Sequence, residues 1–362
     1  MKDRIRRILS NSNEKVDAFL IANSQHPNVD LNFFYVTGIT SGAFEGCYVI
    51  AKSNGKGYLL TSELEEPIAR KETELEIKVF RTKEERESHL KELLSDVNNL
   101  GINSNNLSFK QYSDISKFTK AKIIDVSDAF SKARSIKDKE EIKSISKACK
   151  ISAKCAEEFP NYIKPNVTEK ELSRKLVELQ FHNDATNLAF SPPIVAFGRN
   201  SATPHHFPTD EKVKKNQFVL IDFGAEFNRY TSDISRTFVF GKANKKMKEI
   251  YETVLDAQLQ AIDMIKENIN GEDVDKLARE LIDKEFKGRF IHSLGHEVGL
   301  SIHDGNRLSS QVDFILKENM VVTVEPGIYI PEIGGVRIED TVLVTKNKAE
   351  ILTKSPKKLI EL

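Results

Sequence analysis

Residues 217–240 read QFVLIDFGAEFNRYTSDISRTFVF, two apolar runs joined by a short polar segment. Val, Ile, Phe and Thr favour strands, and Asn tolerates the positive φ that a tight turn requires. We therefore predict an antiparallel hairpin that turns at Phe227 and Asn228. In that register Asp222 pairs directly with Asp233.

Directly opposed residues of an antiparallel pair share one face of the sheet, with Cβ atoms about 4.5 to 5.5 Å apart. Two bare carboxylates at that separation repel by about 3 kcal/mol at an effective dielectric constant near 20. The opposed pair of Asp222 and Asp233 therefore indicates a bound cation or a shared proton.

A second acid pair follows near the C-terminus. The segment PEIGG at 331–335 can turn the chain, which would return Glu339 beside Glu325. Strand alternation places Arg337 on the same face as Glu339, where it could hold a carboxylate or a substrate group. A lone acid in a strand is usually solvated or ion-paired, but two opposed pairs within apolar strands favour metal binding.

Five of the eight histidines lie between residues 205 and 303. An isolated histidine is most often a hydrogen-bonded core or turn residue. Clustering near the acids instead favours one imidazole as a metal ligand and others as proton donors in catalysis. The five are His205, His206, His292, His296 and His303; His26, His89 and His182 have no such companions and receive no role.

Length and composition describe a globular chain of about two domains. It has 362 residues, 39% hydrophobic and 30% charged. Lys+Arg and Asp+Glu balance at 54 each, which argues against binding to nucleic acid or to an anionic membrane. Three cysteines without CxxC spacing, no cleavage site and no apolar run of about 18 residues predict a cytoplasmic protein outside the membrane.

The pattern of elements predicts two domains. Strand-like and helix-like segments alternate over residues 1–130, which indicates a small α/β domain with its own sheet. In residues 131–362 we expect an α+β domain, in which a curved antiparallel sheet carries the acids and helices cover it. Thr168 and Glu171 form a capping box at one helix start. Neither GxGxxG nor GxxxxGKT is present, so nothing suggests nucleotide binding.

Five motifs in fixed order resemble the pita-bread metallopeptidases, which include aminopeptidase P, prolidase and methionine aminopeptidase. The resemblance is strong over residues 130–360 and looser over the first 130, which resemble a creatinase-type N-terminal domain. It implies a pita-bread catalytic domain. The motifs are IDFG (221–224), SDISRT (232–237), GHEVGLSIHD (295–304), VEPGIYI (324–330) and GGVRIEDTVLV (334–344).

The same resemblance implies a site for two divalent metal ions. Asp222 would chelate one ion, Asp233 and Glu339 would bridge both, and His296 and Glu325 would bind the second. Four carboxylates bring about four negative charges, which two divalent cations neutralise. Mn2+ or Co2+ is favoured and Zn2+ is possible, since a mainly oxygen site accepts several such ions.

Further matches imply catalytic residues typical of the proline-specific branch. His205 in TPHHFPTD and His303 in SIHDG would assist the intermediate or donate a proton toward the scissile nitrogen. His292 matches a histidine that precedes the ligand histidine, and Arg337 matches an arginine near the bridging glutamate.

Some residues depart from the family pattern. Ser293 and Glu297 stand where HGxGHGxG has glycines, and HDGNR at 303–307 stands where HExPR is common. The shape and charge of the pocket beside His296 are therefore open. His206 has no counterpart, and we interpret it as incidental.

The predicted function is hydrolysis of the Xaa-Pro bond, in dipeptides or at the N-terminus of short peptides, with a prolidase slightly favoured over an aminopeptidase P. The bond is a tertiary amide without an N–H, so a dedicated pocket is needed. The resemblance implies a homodimer whose N-terminal domain limits the site to short proline-containing peptides. Alternatives are a methionine-aminopeptidase-like exopeptidase and a non-catalytic binding protein that retains the fold.

Overall fold

The computed structural model describes residues 2–26 and 28–362 and divides the chain into two compact units. One unit ends at Arg134 and the other spans Ser135–Leu362. Among the described residues, no helix is long and apolar enough to cross a membrane.

The first unit is built on one mixed sheet of six strands in the order β4-β3-β2-β1-β5-β6. Every residue of β1 is buried, because the strand lies inside the sheet with helices packed nearby. The strands are β1 (Ala18–Ala22), β2 (Tyr48–Lys52), β3 (Gly57–Ser62), β4 (Glu76–Phe80), β5 (Asn99–Ile102) and β6 (Lys122–Asp125). The helices are α1 (Lys2–Asn11), α2 (Leu31–Thr37), α3 (Glu66–Glu72), α4 (Lys83–Leu94), α5 (Phe109–Phe118) and α6 (Ser127–Ser135).

Four long helices belong to the second unit, and each begins at a capping side chain. Thr168 and Glu171 form the predicted capping box at the start of the second of them. Asp138, Asn244 and Asn270 cap the other three. The helices are α7 (Lys139–Glu158), α8 (Glu169–His182), α9 (Lys245–Met264) and α10 (Gly271–Phe286).

The strand ladders of the second unit are antiparallel, which confirms the α+β expectation. Two of its sheets are β12-β9-β8 and β15-β18-β19, and β16 pairs with β17. The strands are β7 (Asn187–Leu188), β8 (Ile194–Phe197), β9 (Gln217–Phe223), β10 (Ala225–Phe227), β11 (Tyr230–Thr231), β12 (Ile234–Phe240), β13 (Gly295–His296), β14 (Arg307–Leu308), β15 (Val321–Val324), β16 (Gly327–Ile330), β17 (Gly334–Arg337), β18 (Asp340–Val344) and β19 (Ala349–Ile351).

The predicted position of the first hairpin turn is wrong by one residue. Phe227 pairs with Tyr230, so the turn consists of Asn228 and Arg229. Both have positive φ, 51° and 67°, as a two-residue turn that matches the strand twist requires. The predicted turn placed Phe227 in one of those positions, where a bulky side chain is disfavoured.

This shift corrects the pairing of the first two acids. Asp222 pairs with Ser235 rather than with Asp233, which lies just before β12. The partner of Asp222 has moved by two residues, and a shift of two keeps side chains on the same face. Asp222 and Asp233 are therefore diagonal neighbours on one face instead of directly opposed residues.

The second acid pair forms in the predicted register. Gly327 pairs with Arg337 in one ladder and Val324 pairs with Asp340 in the other. The two ladders share one register, and that register places Glu325 opposite Glu339 at the break between them.

Helices cover the strands of the second unit on two sides. A core cluster that includes Leu172, Leu176 and Val195 joins α7 and α8 to β8, β9 and β12. Another, which includes Val254 and Val274, joins α9 and α10 to β15 through β18. The apolar packing fixes the strands that carry the acids.

Gly224 makes the close crossing at the acid hairpin possible. A Cβ atom there would lie 1.9 Å from the carbonyl oxygen of Ser232. We expect Gly224→Ala to lower the free energy of unfolding by about 3 kcal/mol, because backbone atoms must move apart. The matched control is Gly288→Ala, where φ is +70° and no atom lies within 4 Å of the added Cβ. That change should cost about 1 kcal/mol of left-handed strain. Equal losses in chemical denaturation of the two variants would contradict this packing argument.

Candidate metal centre

Three buried residues from separate segments form the centre of the site. One ligand atom each from Asp233, His296 and Glu339 lies within 4.8 Å of the others. His296 Nε2 is 3.6 Å from Asp233 Oδ2 and 3.4 Å from Glu325 Oε1. Glu325 therefore joins the cluster, and its side chain keeps 16% exposure.

Asp222 reaches the same place from β9, and Arg337 holds its carboxylate. Arg337 Nη2 lies 2.5 Å from Asp222 Oδ2. Arg337 also donates through Nε to Ser235 Oγ at 2.9 Å, and Ser235 Oγ donates to Glu339 Oε2 at 2.8 Å. The structure thus brings all five predicted ligands together around one buried guanidinium group.

Three carboxylate oxygens of this cluster are buried without a hydrogen-bond partner in the described part of the chain. They are Asp222 Oδ1, Asp233 Oδ1 and Glu339 Oε1. Buried polar atoms are nearly always paired, because desolvation without a partner is costly. Carboxylate oxygens and one imidazole are ligands that divalent cations accept, so the residues present fit a metal site.

The pKa values of three of the acids are raised, as expected for several carboxylates buried close together. Burial and neighbouring carboxylates raise the pKa of Asp233 and of Glu339 well above their ordinary values. Burial raises the pKa of Glu325 to about 7, with Asp233 and Asp222 adding to the effect against His296 and Arg337. Like charges in one buried place cannot all ionise, and a cation would favour their ionised forms.

His292 is held on both ring nitrogens. Its Nδ1 lies 2.8 Å from the Ser293 carbonyl oxygen, so Nδ1 donates and Nε2 accepts from the hydroxyl of Tyr329 at 2.8 Å. Arg337 Nη1 donates to the same hydroxyl oxygen at 2.9 Å. Burial, with Arg337 next, lowers the pKa of His292 to about 3, and burial raises that of Tyr329 to about 12. Both groups are neutral near pH 7. Sequence reasoning missed Tyr329, although it lies in the VEPGIYI motif.

His205 and His303 line one cleft of about 1280 Å³ together with Asp222, Asp233 and Glu325. The His303 ring meets the His296 ring edge-on, with centroids 4.3 Å apart and an interplanar angle of 89°. Partial desolvation, and then His296, lower the pKa of His303 to about 4. A neutral imidazole beside His296 is able to donate or accept a hydrogen bond in the cleft.

The cleft also contains a cation that sequence reasoning missed. Arg307 lines the cleft, and its side chain makes no hydrogen bond or ion pair with the described residues. Arg279 lines it as well, but that side chain is bound to Asp275 and to backbone carbonyl oxygens. Arg307 is the arginine of the HDGNR segment, so the motif itself was the available signal.

Glu297 does not bring its charge into the cleft. The side chain is fully buried, and its carboxylate accepts from Ser135 Oγ and from the Asn306 backbone N–H at 2.7 Å. A Cβ at Gly305 would lie 2.1 Å from Glu297 Oε2, so Gly305 makes room for this carboxylate. The Asn306 N–H is a donor that proline lacks. Glu297, Gly305 and Asn306, which differ from the family pattern, therefore compensate one another: Gly305 leaves space for the Glu297 carboxylate and Asn306 donates a hydrogen bond to it.

Known proteins resemble the whole chain. The model of metallopeptidase family M24 matches residues 143–346, and that of the creatinase/prolidase N-terminal domain matches residues 2–136. The Xaa-Pro dipeptidase of Pyrococcus furiosus is 38% identical, covering 99% of this chain and 100% of the relative.

Two solved structures are similar over nearly their full length. The Xaa-Pro dipeptidase from Bacillus anthracis has a TM-score of 0.92 at 35% identity, covering 99% of each chain. The X-Pro aminopeptidase from Thermotoga maritima has a TM-score of 0.90 at 32% identity, covering 96% of this chain and 98% of that one. These matches confirm the expected architecture of a creatinase-type N-terminal domain followed by a pita-bread catalytic domain.

The raised pKa values predict that protons compete with metal ions. Below pH 4.5, the ordinary value for Glu325, this carboxyl is protonated in folded and unfolded chains alike. Between 4.5 and about 7 the metal-free folded protein keeps a proton that the unfolded chain releases. The free energy of unfolding of the metal-free protein should therefore fall as pH rises through this window.

Calorimetric titration of Mn2+ into the metal-free protein should accordingly show proton release and an affinity that rises from pH 5 to about pH 8. Repeating the titration in buffers of different ionisation enthalpy gives the number of protons released per Mn2+ ion bound. In the Glu325→Gln variant this number should be smaller. An unchanged affinity and no proton release across this range would contradict the assignment.

Proposed function

The chain belongs to metallopeptidase family M24, and we propose that this hydrolase cleaves the Xaa-Pro bond of dipeptides. The observation that carries the proposal is one cleft lined by His205, His303, Arg307 and four of the five proposed ligands, with the fifth, Glu339, beside Asp233 and His296. The relative from Pyrococcus furiosus, named as an Xaa-Pro dipeptidase, supports the same substrate.

The family implies divalent metal ions. We propose that Asp222 would hold one ion, that His296 and Glu325 would hold a second, and that Asp233 and Glu339 would serve both. Such ions supply a nucleophilic water at neutral pH and polarise the substrate carbonyl. Mn2+ or Co2+ is the proposed native metal, with Zn2+ as an alternative, on the grounds of the oxygen-rich ligand set.

The protein's own side chains are proposed to position the substrate and move the proton. Neutral His303, adjacent to His296, would hold the carbonyl oxygen through its N–H, and His205, which lines the same cleft, would hold that oxygen or deliver a proton to the leaving nitrogen. The leaving group is a proline nitrogen, which must gain a proton because a tertiary amide carries none. His292, bound on both nitrogens, acts by orienting Tyr329 and Arg337 beside Asp222.

Arg307 favours a dipeptide over a longer peptide. A dipeptide carries its α-carboxylate immediately after proline, and a guanidinium group binds a carboxylate with two parallel hydrogen bonds. In a tripeptide that position is an amide without charge. Arg307, which forms no pair among the described residues, therefore supports the dipeptidase assignment.

Two further expectations remain proposals. A homodimer is supported by Phe109 and Tyr112, large apolar side chains of α5 that are 86% and 43% exposed. A reducing, cytoplasmic location is supported by three free, buried thiols, those of Cys47, Cys149 and Cys155.

Comparing Ala-Pro with Ala-Pro-Ala under added Mn2+ or Co2+ tests the substrate assignment. We expect faster hydrolysis of Ala-Pro. Arg307→Gln should raise KM for Ala-Pro about tenfold to a hundredfold, because a charge-assisted pair is lost, and should leave Ala-Pro-amide nearly unaffected. Equal loss on both substrates would refute a carboxylate contact. Preference of the wild-type enzyme for Ala-Pro-Ala would favour an aminopeptidase P instead.

The bridging acids provide a separate test of the metal mechanism. Asp233→Ala and Glu339→Ala should each abolish turnover of Ala-Pro, since a ligand proposed to contact both ions is lost. Metal content measured on the purified variants should fall with activity. The control is Asp263→Ala on the exposed surface of α9, which should keep both. Full activity of either bridging variant in metal-depleted buffer would overturn the mechanism.

A further inference from the structure

A fully buried carboxylate lies behind one wall of the cleft. Glu169 opens α8 and has no exposed surface. Burial alone would raise its pKa, but hydrogen bonds from Thr209, Asn200 and His206 lower the pKa below its ordinary value. The group is therefore a buried anion at neutral pH, and such anions require full hydrogen bonding.

Five hydrogen bonds satisfy this carboxylate. Oε1 accepts from the Phe197 backbone N–H at 2.8 Å and from Asn200 Nδ2 at 2.9 Å. Oε2 accepts from His206 Nε2 at 2.9 Å, and from Thr209 through its backbone N–H at 2.9 Å and its hydroxyl at 2.6 Å. Both oxygens are saturated, so Glu169 has no capacity left for a substrate or a metal ion.

The donors come from three consecutive segments that shape the wall. Phe197 ends β8, Asn200 lies in the 3-10 turn Gly198–Ala202, and His206 and Thr209 belong to the loop that follows. Residues 203–207 of that loop line the cleft. One carboxylate thus ties together the end of a strand, a turn and a loop.

His205 depends on this loop for its position. Its side chain makes no hydrogen bond with the described residues, although it lines the cleft. The adjacent His206 also lines the cleft, and its ring bonds Glu169, so this bond holds the backbone segment that carries His205. His206, which we interpreted from the sequence as incidental, connects the loop to this buried anion.

We propose that Glu169 is a positioning residue for catalysis, which fixes His205 in the cleft by anchoring residues 203–209 through His206 and Thr209. The proposal rests on the proposed function, in which His205 acts at the reacting bond. Its effect should appear in kcat rather than in KM, because a displaced proton donor weakens transition-state interactions and leaves ground-state binding intact.

A double-mutant cycle on Ala-Pro hydrolysis tests the coupling. Glu169→Gln keeps the shape of the side chain but turns one acceptor into a donor that faces N–H groups. We expect kcat to fall about tenfold with KM changed less than about twofold. In the background of His205→Ala, which itself should cost about a hundredfold, the same change should cost less than about twofold. Equal losses in both backgrounds would overturn the proposal, because a general structural defect would be additive.

Two sets of variants control the interpretation. Glu178→Gln makes the same chemical change on α8, at an exposed side chain 2.7 Å from Lys175 Nζ, and should leave kcat unchanged. His206→Gln retains an N–H donor of similar reach, whereas His206→Leu does not. Glutamine should restore most of the kcat that leucine loses. Equal loss in the two His206 variants would contradict an anchor through that hydrogen bond.

An activity-independent measurement separates this proposal from the proposed function. Amide hydrogen exchange at Phe197 and Thr209 should accelerate at least tenfold in Glu169→Gln, while exchange at Val254 in α9 stays unchanged. If the wild-type protein hydrolyses no Xaa-Pro substrate, the proposed function fails. The exchange rates still test whether Glu169 anchors residues 203–209. Unchanged exchange at both amides would show that Glu169 does not hold this loop.

Discussion

Four carboxylates forced into one buried place are the constraint on which the second unit depends. Asp222, Asp233, Glu325 and Glu339 converge from two hairpins, and Arg337 is the guanidinium group buried among them. One positive charge cannot offset four acids, so the site either keeps protons or binds cations. Tight hairpins, apolar strands and helices on both sides are needed to hold groups that repel one another. Apolar packing of the strands and helices offsets the repulsion among the carboxylates, as is common at functional sites.

Much of this arrangement was predictable, because strand alternation is a strong local signal. The predicted pairing of Asp222 with Asp233 was wrong, yet both acids share the predicted face, since a two-residue shift preserves it. The turn was misplaced because the need for positive φ at both Asn228 and Arg229 is not evident from Arg. Glu325 and Glu339 were paired in the right register, because the short PEIGG segment leaves few positions for the turn.

The surroundings of the ligands were less predictable, because they depend on contacts between distant parts of the chain. His206 bonds an acid 37 positions away, and Glu297 bonds the hydroxyl of Ser135, 162 positions away. The hydrogen bond of Tyr329 to His292 arises only when the segment that carries His292 meets the β16–β17 hairpin, on which Tyr329 also bonds Arg337. No local propensity encodes such partners. The sequence departure at Glu297 was visible, but its compensation by Gly305 and Asn306 required the fold.

Hydrogen-bond satisfaction, rather than burial, distinguishes the proposed metal ligands from the other buried acids. Glu169, Glu297 and Asp275 are as deeply buried as the metal-site acids, yet each has both oxygens bonded to donors of the chain. Within the described residues, the buried carboxylate oxygens without a partner belong to Asp222, Asp233 and Glu339. A buried acid whose oxygens are all hydrogen-bonded links parts of the chain to one another and stays fixed in position. An unsatisfied buried acid needs a partner from outside the chain, so buried acids fit different roles: a support for Glu169 and a metal ligand for Asp222, Asp233 and Glu339 under the proposed function.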